Sequence, residues 1–173
     1  MTALDGATFS DVQFNRYIRD NLNECAPAKA SAAGQYFVTD DVNSLAARAP
    51  GTAFISTSQT TTSTSYADLA TVGPQVTVNC GQNALVFINC EVSHGTANTL
   101  ASVSFAYSGA TAGDASDAIR IMHDGVSAAN SWRHSMSWRL ADLNPGSHTF
   151  TLKYRVVSGT GTFARRELIV LPL

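Results

Sequence analysis

The chain has 173 residues, a formal net charge of −2 and 14% charged residues, against roughly 25% in ordinary soluble domains. That balance gives no basic footprint for DNA or RNA, and no apolar run approaches the roughly 18–20 residues that span a bilayer. Ser and Thr, 36 residues together, supply the polar surface instead, and this composition favours sheets and turns over helices.

The start of the chain, Met1–Ser10, has neither a basic stretch nor an apolar one. We therefore expect no signal peptide and synthesis in the cytoplasm. The three cysteines (Cys25, Cys80 and Cys90) are an odd number, which fits a reducing compartment and argues against a closed disulfide framework. We expect small buried thiols, and the sequence leaves open whether Cys80 and Cys90 pair.

The first element is predicted to be one short amphipathic helix. Ser10 and Gln13 have the spacing of a capping box, and Phe9 and Phe14 have that of a hydrophobic staple. Apolar side chains then recur at spacings of three and four, which gives one helical face composed of Phe14, Tyr17, Ile18 and Leu22. A helix of about thirteen residues is marginal alone in water, so this face must dock on its own domain, on a partner or on sister subunits.

We place a domain boundary after residue 50. Residues 1–50 are interpreted as the helix and a connector, and residues 51–173 as a β-domain. Nine of the ten residues in Ser56–Ser65 are Ser or Thr, which a flexible linker would allow. Thr has a high β-propensity, and the residues on both sides of this segment are typical of ordered structure. We therefore favour an exposed strand or an edge loop.

From residue 75 onward apolar and polar residues alternate with a period of two, which is typical of strands with one buried face. The apolar sets of three such runs are Val86, Ile88, Cys90 and Val92; Ala101, Val103, Phe105 and Tyr107; and Phe150, Leu152, Tyr154 and Val156. Turn signals separate about eight strands, and no helices are interleaved. The pattern predicts a mainly β, antiparallel sandwich or jelly roll preceded by the short helix.

The last predicted strand is apolar on both faces, unlike the others. Its apolar residues are Leu168, Ile169, Val170, Leu171 and Leu173. Such a strand is either central or part of an interface, and an exposed end of this kind would promote aggregation of a monomer. We expect these residues to be buried against copies of the same chain.

Sequence patterns for catalysis and metal binding are missing. No G-x-S-x-G, H-E-x-x-H, P-loop or G-x-G-x-x-G pattern occurs, so we expect no enzyme, no catalytic residues and no cofactor. The four histidines lack ligand-like spacing, and no metal ligands are assigned. The loop residues Asp114, Asp117 and Asp124 form no EF-hand, and calcium binding by the loop is left open.

Two tryptophans are the candidate ligand-binding residues. Trp132 and Trp138 share one face of a predicted strand with His134, Met136 and Leu140. Tryptophans at this spacing are more often part of a core, but exposed ones would form a platform on which a sugar stacks. The loop over residues 108–117 is the alternative location for a carbohydrate-binding site.

Several segments resemble structural proteins of tailed-bacteriophage virions. The segment Phe14–Leu22 resembles the F/L-N-x-Y-x-R-D-N-L segment that opens many of them, and the Ala-Pro-Ala-Lys step at 26–29 is similar to the one that follows it there. Segments Thr60–Val78 and Ser104–Ala110 are similar to parts of the β-domain of the same proteins. Cys25 departs from the pattern, since small or polar residues are more usual there.

The resemblance implies a trimeric jelly roll like that of tumour-necrosis-factor-type domains, with no catalytic residues. It implies a virion protein of the minor tail, fibre or head-decoration type, made in the bacterial host and partnered by itself and by other virion proteins. Phe9, Phe14, Tyr17, Ile18 and Leu22 would form the virion anchor. A host surface glycan is a further expected partner, and neither nucleic acid binding nor membrane insertion is expected.

Overall fold

A computed structural model describes residues 10–19, 29–42, 44–125 and 130–173 of the chain. The chain divides into two compact units, Met1–Arg48 and Ala49–Leu173. In the described ranges, no helix has both the length and the apolar character needed to cross a membrane.

The first unit begins with a capped but short helix. Ser10 caps α1 (Asp11–Phe14), its side chain accepts from the amide of Gln13, and the Gln13 side chain accepts from the amide of Ser10, so the predicted capping box is present. The chain continues as a π-helix over Asn15–Arg19. Because π-helical turns bond residue i to i+5, the 3.6-residue spacing behind the predicted apolar face is not kept, and a single regular α-helix is not confirmed.

A β-hairpin follows in the same unit. Strands β1 (Tyr36–Asp41) and β2 (Ser44–Arg48) pair antiparallel, with Phe37 opposite Ala47. The segment predicted to be a plain connector therefore contains regular structure. A two-stranded hairpin is marginal alone in water, so its stability must come from packing on other parts of the protein or on a partner.

The described residues of the second unit form nine strands. They are β3 (Gly51–Ile55), β4 (Gln59–Thr61), β5 (Gln75–Cys80), β6 (Ala84–His94), β7 (Leu100–Gly109), β8 (Arg120–Asp124), β9 (Ser131–Leu140), β10 (Gly146–Val156) and β11 (Gly161–Pro172). The first sheet has the order β3-β11-β6-β9, with the short strand β4 also paired to β11, and the second sheet has the order β5-β10-β7-β8. All pairings within both sheets are antiparallel.

This strand order is that of a jelly roll. If β4 is set aside, the first sheet holds the first, eighth, third and sixth strands in chain order, and the second sheet holds the second, seventh, fourth and fifth. Two interleaved Greek keys give this arrangement, in which the chain crosses between the sheets rather than closing each sheet by hairpins alone. The predicted antiparallel jelly-roll sandwich is confirmed.

The core lies between the two sheets and follows the predicted alternation. The inward side chains of β6, β7 and β10 are fully buried, among them Val86, Ile88, Cys90, Val92, Ala101, Val103, Phe105, Phe150, Leu152, Tyr154 and Val156. Cys80 and Cys90 are both buried and are not joined to each other. Burial raises the pKa of the Cys90 thiol to about 12, which keeps it protonated at neutral pH.

The core also contains one buried guanidinium group. A β-bulge between Ala164 and Glu167 in β11 turns the side chain of Arg166 inward, where its exposed fraction is 0%. Nη1 donates to the carbonyl of Gly73 at 3.2 Å, and Nη2 donates to Oε1 of Gln59 at 3.0 Å. Arg166 therefore fastens the segment between β4 and β5, which carries the chain from one sheet to the other.

Replacing Arg166 should destabilise the sandwich. Arg166→Met retains an unbranched apolar chain at this position but removes the guanidinium group that donates to Gly73 and Gln59. We expect the free energy of unfolding to fall by about 2–4 kcal/mol. Urea unfolding of the full chain measures this change. The control is Arg165→Met at the neighbouring position, which is exposed and paired with Glu91 at 3.2 Å, and which should cost less than about 1 kcal/mol. Equal losses for the two variants would contradict the role assigned to Arg166.

Candidate functional site

The five apolar residues near the C-terminus do not form one surface. Successive residues of β11 point to opposite faces of the first sheet, and Leu168 and Val170 lie in the core with 0% exposure. These two are therefore wrongly placed in the predicted oligomer interface, because their side chains are already covered within the protomer. Ile169, Leu171 and Leu173 are half-buried and are left as interface candidates.

The outer face of the first sheet carries a group of apolar side chains, here named the apolar patch: Phe54, Leu85, Phe87, Ile169 and Leu171. The strand register places them together, since Ile169 lies opposite Phe87 and Leu171 lies opposite Leu85. Phe54, on the edge strand β3, is 56% exposed. Apolar side chains grouped on one face of a sheet form a candidate surface for contact with another molecule.

Charged and polar side chains border the apolar patch at one end. Glu167 accepts from the amide of Asn89 at 2.8 Å and lies 3.8 Å from Arg133. Glu91 pairs with Arg165 at 3.2 Å. These carboxylates already have partners within the protomer, so a second surface can cover this border without leaving an unpaired charge behind.

Three members of the apolar patch were not predicted from the sequence. Phe54, Leu85 and Phe87 lie on β3 and β6, far along the chain from the C-terminus. The available signal was Phe87, a large apolar residue at a position where the alternation of β6 calls for a polar one. Period-two patterning shows that Phe87 shares a face with Asn89 and Glu91, but it does not show which strands are neighbours.

The two tryptophans do not form a common ligand-binding face. Trp138 is half-buried and packs against the core, with its ring 6.1 Å from that of Phe105. Trp132 is 62% exposed. Six residues along a strand separate them by about 20 Å, so one saccharide unit cannot stack on both.

A histidine pair links the two sheets near Trp132. His123 on β8 belongs to the second sheet and His134 on β9 to the first, and Nδ1 of His123 lies 3.0 Å from Nε2 of His134. One nitrogen must donate and the other accept, so the contact requires an unprotonated nitrogen on one ring. Burial lowers the pKa of both residues, and the neighbouring ring of His134 lowers the pKa of His123 further.

Other titratable side chains do not gather into a site for a metal ion. In the described part of the chain, no three His, Cys, Asp or Glu side chains are arranged to hold one. Asp117, one of the three loop aspartates weighed for calcium, pairs with Arg120 at 2.9 Å and with Arg155 at 2.6 Å.

The predicted anchor residues are only partly described. Phe14 and Ile18 are 49% and 38% exposed, so two of the five have apolar surface available to a partner. Phe9, Leu22 and the side chain of Tyr17 lie outside the described part of the chain.

The comparisons with known proteins found similar solved structures but no similar sequence family. No family model matches the chain, and no curated protein matches it. The Eiger TNF of S. frugiperda is similar in structure, with 12% identity and a TM-score of 0.45 over 73% of this chain and 92% of that one. A structure of infectious bursal disease virus, Gt strain, has 10% identity and a TM-score of 0.44 over 75% of this chain and 36% of that one.

The histidine pair should make the protein sensitive to mild acid. Folding lowers the pKa of both imidazoles below their usual value of about 6.5, so the unfolded chain takes up protons first as the pH falls. The stability present above pH 6.5 is then lost progressively as the pH falls below 6.5 toward the lowered pKa values of the folded state. Urea unfolding at pH 7, 6 and 5 measures this loss.

The matched variant replaces both rings with amides that still hydrogen bond. His123→Asn with His134→Gln does not titrate, so its stability should change less between pH 7 and 5 than that of the wild type. An equal slope in the two proteins would show that the pair is not the source of the acid sensitivity.

Proposed function

We propose that this protein is a non-enzymatic structural component of a tailed-phage virion. In this proposal it is an oligomeric tail or fibre protein, specifically a trimer. Residues 49–173 project from the particle, and the N-terminal unit is attached to other virion proteins. Its partners are copies of itself and its neighbours in the virion, and it requires no cofactor.

The apolar patch is the observation that carries this proposal. Phe87 and Ile169 lie opposite each other on the outer face of the first sheet, and Phe54 lies on the same face opposite Glu167, a charged residue that is already paired. A face of this composition suits a symmetric interface, in which the same surface of each copy is covered by the next. Several copies held together would also raise the avidity for any ligand on a cell surface.

The position in the particle has one further alternative within the same class. The protein is a tail or fibre protein in our first proposal, and a capsid decoration or head-fibre protein in the second. Both use the same oligomer, and they differ in the partner that receives the N-terminal unit.

A carbohydrate-binding, receptor-recognition module is the candidate from another class. The specific observation in its favour is the exposure of Trp132, whose indole ring is available for stacking on a sugar. Trp138 does not contribute to such a platform, since it packs against the core.

The isolated chain should be an oligomer that one charge in the apolar patch disrupts. Ile169→Asp places a carboxylate at the centre of the face, and covering it would cost several kcal/mol, so self-association should weaken by at least about a hundredfold. Sedimentation velocity at micromolar concentration measures the change.

The control places the same charge on the opposite side of the sandwich. Thr149 is half-buried on β10, next to Thr77 on the outer face of the second sheet, and Thr149→Asp should leave the oligomer intact. A wild-type chain that is monomeric at this concentration would refute the proposed oligomer.

The N-terminal unit should be required for incorporation into particles. Phe14→Asp with Ile18→Asp removes two exposed apolar side chains, each worth about 1.5–3 kcal/mol when buried, so occupancy should fall by at least about tenfold while the β-sandwich stays folded. Quantitative immunoblotting of purified virions measures occupancy.

The control for the anchor lies on the same helix. Val12 is 74% exposed and is not one of the predicted anchor residues, so Val12→Asp should leave occupancy near that of the wild type. Unchanged occupancy of the double variant would count against the anchor.

A further inference from the structure

A polar groove opens on the outer face of the second sheet. Its volume is about 540 Å³, within the range of small-molecule sites, and it is lined by Thr64, Ser65, Tyr66, Ala115, Ser116, Asp117 and Arg155. Arg155 projects from β10 between two walls, one formed by residues 64–66 and the other by residues 115–117. The apolar patch lies on the other sheet, so covering it with a second copy would leave this groove open.

The carboxylate of Asp117 has no acceptor capacity left for a ligand. Its Oδ1 accepts from the hydroxyl of Tyr66 at 2.9 Å and from Nε of Arg155 at 3.1 Å. Its Oδ2 accepts from Nη2 of Arg155 at 2.6 Å and lies 2.9 Å from Nη1 of Arg120. A carboxylate offers about four lone-pair positions, and these four contacts use them.

The groove therefore has an excess of donors and of positive charge. Two guanidinium groups, those of Arg120 and Arg155, face one carboxylate, which leaves one positive charge uncompensated within this cluster. Arg155 donates to Asp117 through Nε and Nη2, and its guanidinium carbon lies 5.3 Å from the centre of the Tyr66 ring, so Nη1 is the terminal nitrogen that Asp117 does not engage. Hydroxyl groups of Thr64, Ser65 and Ser116 lie in the same lining and can donate or accept.

The walls of the groove are held in place before any ligand arrives. The one hydroxyl proton of Ser104 is shared between the carbonyls of Ser116 and Ile119, at 3.0 and 2.8 Å, and the hydroxyl oxygen accepts from the backbone amide of Ser116 at 3.2 Å. On the other side, Ala67 and Tyr154 exchange backbone hydrogen bonds of 3.0 and 2.9 Å. Ordered walls lower the entropy cost of binding.

We propose that this groove binds an acidic saccharide, whose oxyanion accepts from Arg155 and whose hydroxyls pair with the Ser and Thr hydroxyls of the walls. An oxyanion suits a site with spare cationic donors and a saturated carboxylate. A polyhydroxylated ring suits the hydroxyl lining and the adjacent ring of Tyr66. The carboxylate of a uronic acid and the phosphate of a sugar phosphate share this chemistry.

Ligand-observed saturation-transfer NMR on the full chain tests the proposal with three probes of equal ring size: glucuronic acid, glucose 6-phosphate and glucose. We expect saturable binding of at least one acidic sugar and at least about tenfold weaker binding of glucose. Binding of glucuronic acid alone identifies a carboxylate as the preferred group, and binding of glucose 6-phosphate alone identifies a phosphate. Failure of both acidic sugars to bind, or equal binding of glucose, overturns the proposal.

Variants assign the binding to this groove. Arg155→Gln should weaken binding of the acidic sugar at least about tenfold, while Lys153→Gln, on the same face of β10 but outside the lining, should leave it unchanged. Asp117→Asn removes the competing negative charge and should maintain or tighten binding. Weaker binding by Asp117→Asn, with the fold intact by circular dichroism, would mean that the carboxylate itself holds the sugar and would overturn the proposed donor excess.

The variant Trp132→Ala distinguishes saccharide binding in the groove from binding to the exposed tryptophan on the first sheet. It should leave binding in the groove unchanged. Loss of all saccharide binding in this variant would move the site to Trp132 and overturn the assignment to the groove. None of these measurements needs a phage particle, so their failure and a failure of the virion role are distinguishable.

Discussion

The structure depends on the position of β11, a strand that lies between β3 and β6 and is apolar on both of its faces from Leu168 onward. Its inward side chains, including Phe163, Leu168 and Val170, are fully buried and close the core of the protomer. Its outward side chains Ile169 and Leu171 are only half-buried. The same strand therefore stabilises the sandwich and supplies an apolar surface for which water is a poor environment.

The outer faces of the two sheets have different chemistry, although both cover the same core. The first sheet presents the apolar patch, whereas the second presents rows of hydroxyl side chains, such as Thr77 and Thr149, whose Oγ1 atoms lie 2.8 Å apart. Cross-strand hydroxyl pairs of this kind stabilise a sheet without charge. This explains how a chain with 14% charged residues can keep one face wetted.

The sequence alone predicted the core well because burial in a sheet follows a period of two. The inward residues of β6, β7 and β10 are those that the alternation indicated, and the turns fall between them. The same periodicity explains why the predicted oligomer interface at the C-terminus is partly wrong, since a run of adjacent apolar residues in a strand does not form one surface. Leu168 and Ile169 are adjacent in sequence but lie on opposite sides of the sheet.

Features that depend on strand order or on local irregularity could not be predicted. Phe54 and Ile169 come close only because β3 pairs with β11, a contact between segments more than one hundred residues apart. The π-helical turn after Phe14 changes the spacing on which the anchor face was inferred. Arg166 is buried because a bulge turns it inward, and nothing in the composition distinguishes it from Arg165, which is exposed.

Burial keeps three titratable side chains of the interior in their neutral forms. Burial raises the pKa of Cys90 and of Tyr154 and lowers that of His123, and each shift favours the neutral form. An enzyme that used Cys90 as a nucleophile would need the opposite shift, toward a thiolate. Arg166 carries its charge into the same core, but its terminal nitrogens bond to Gly73 and Gln59 and hold a crossing segment in place. The one buried guanidinium described in this core is thus used to fix the chain.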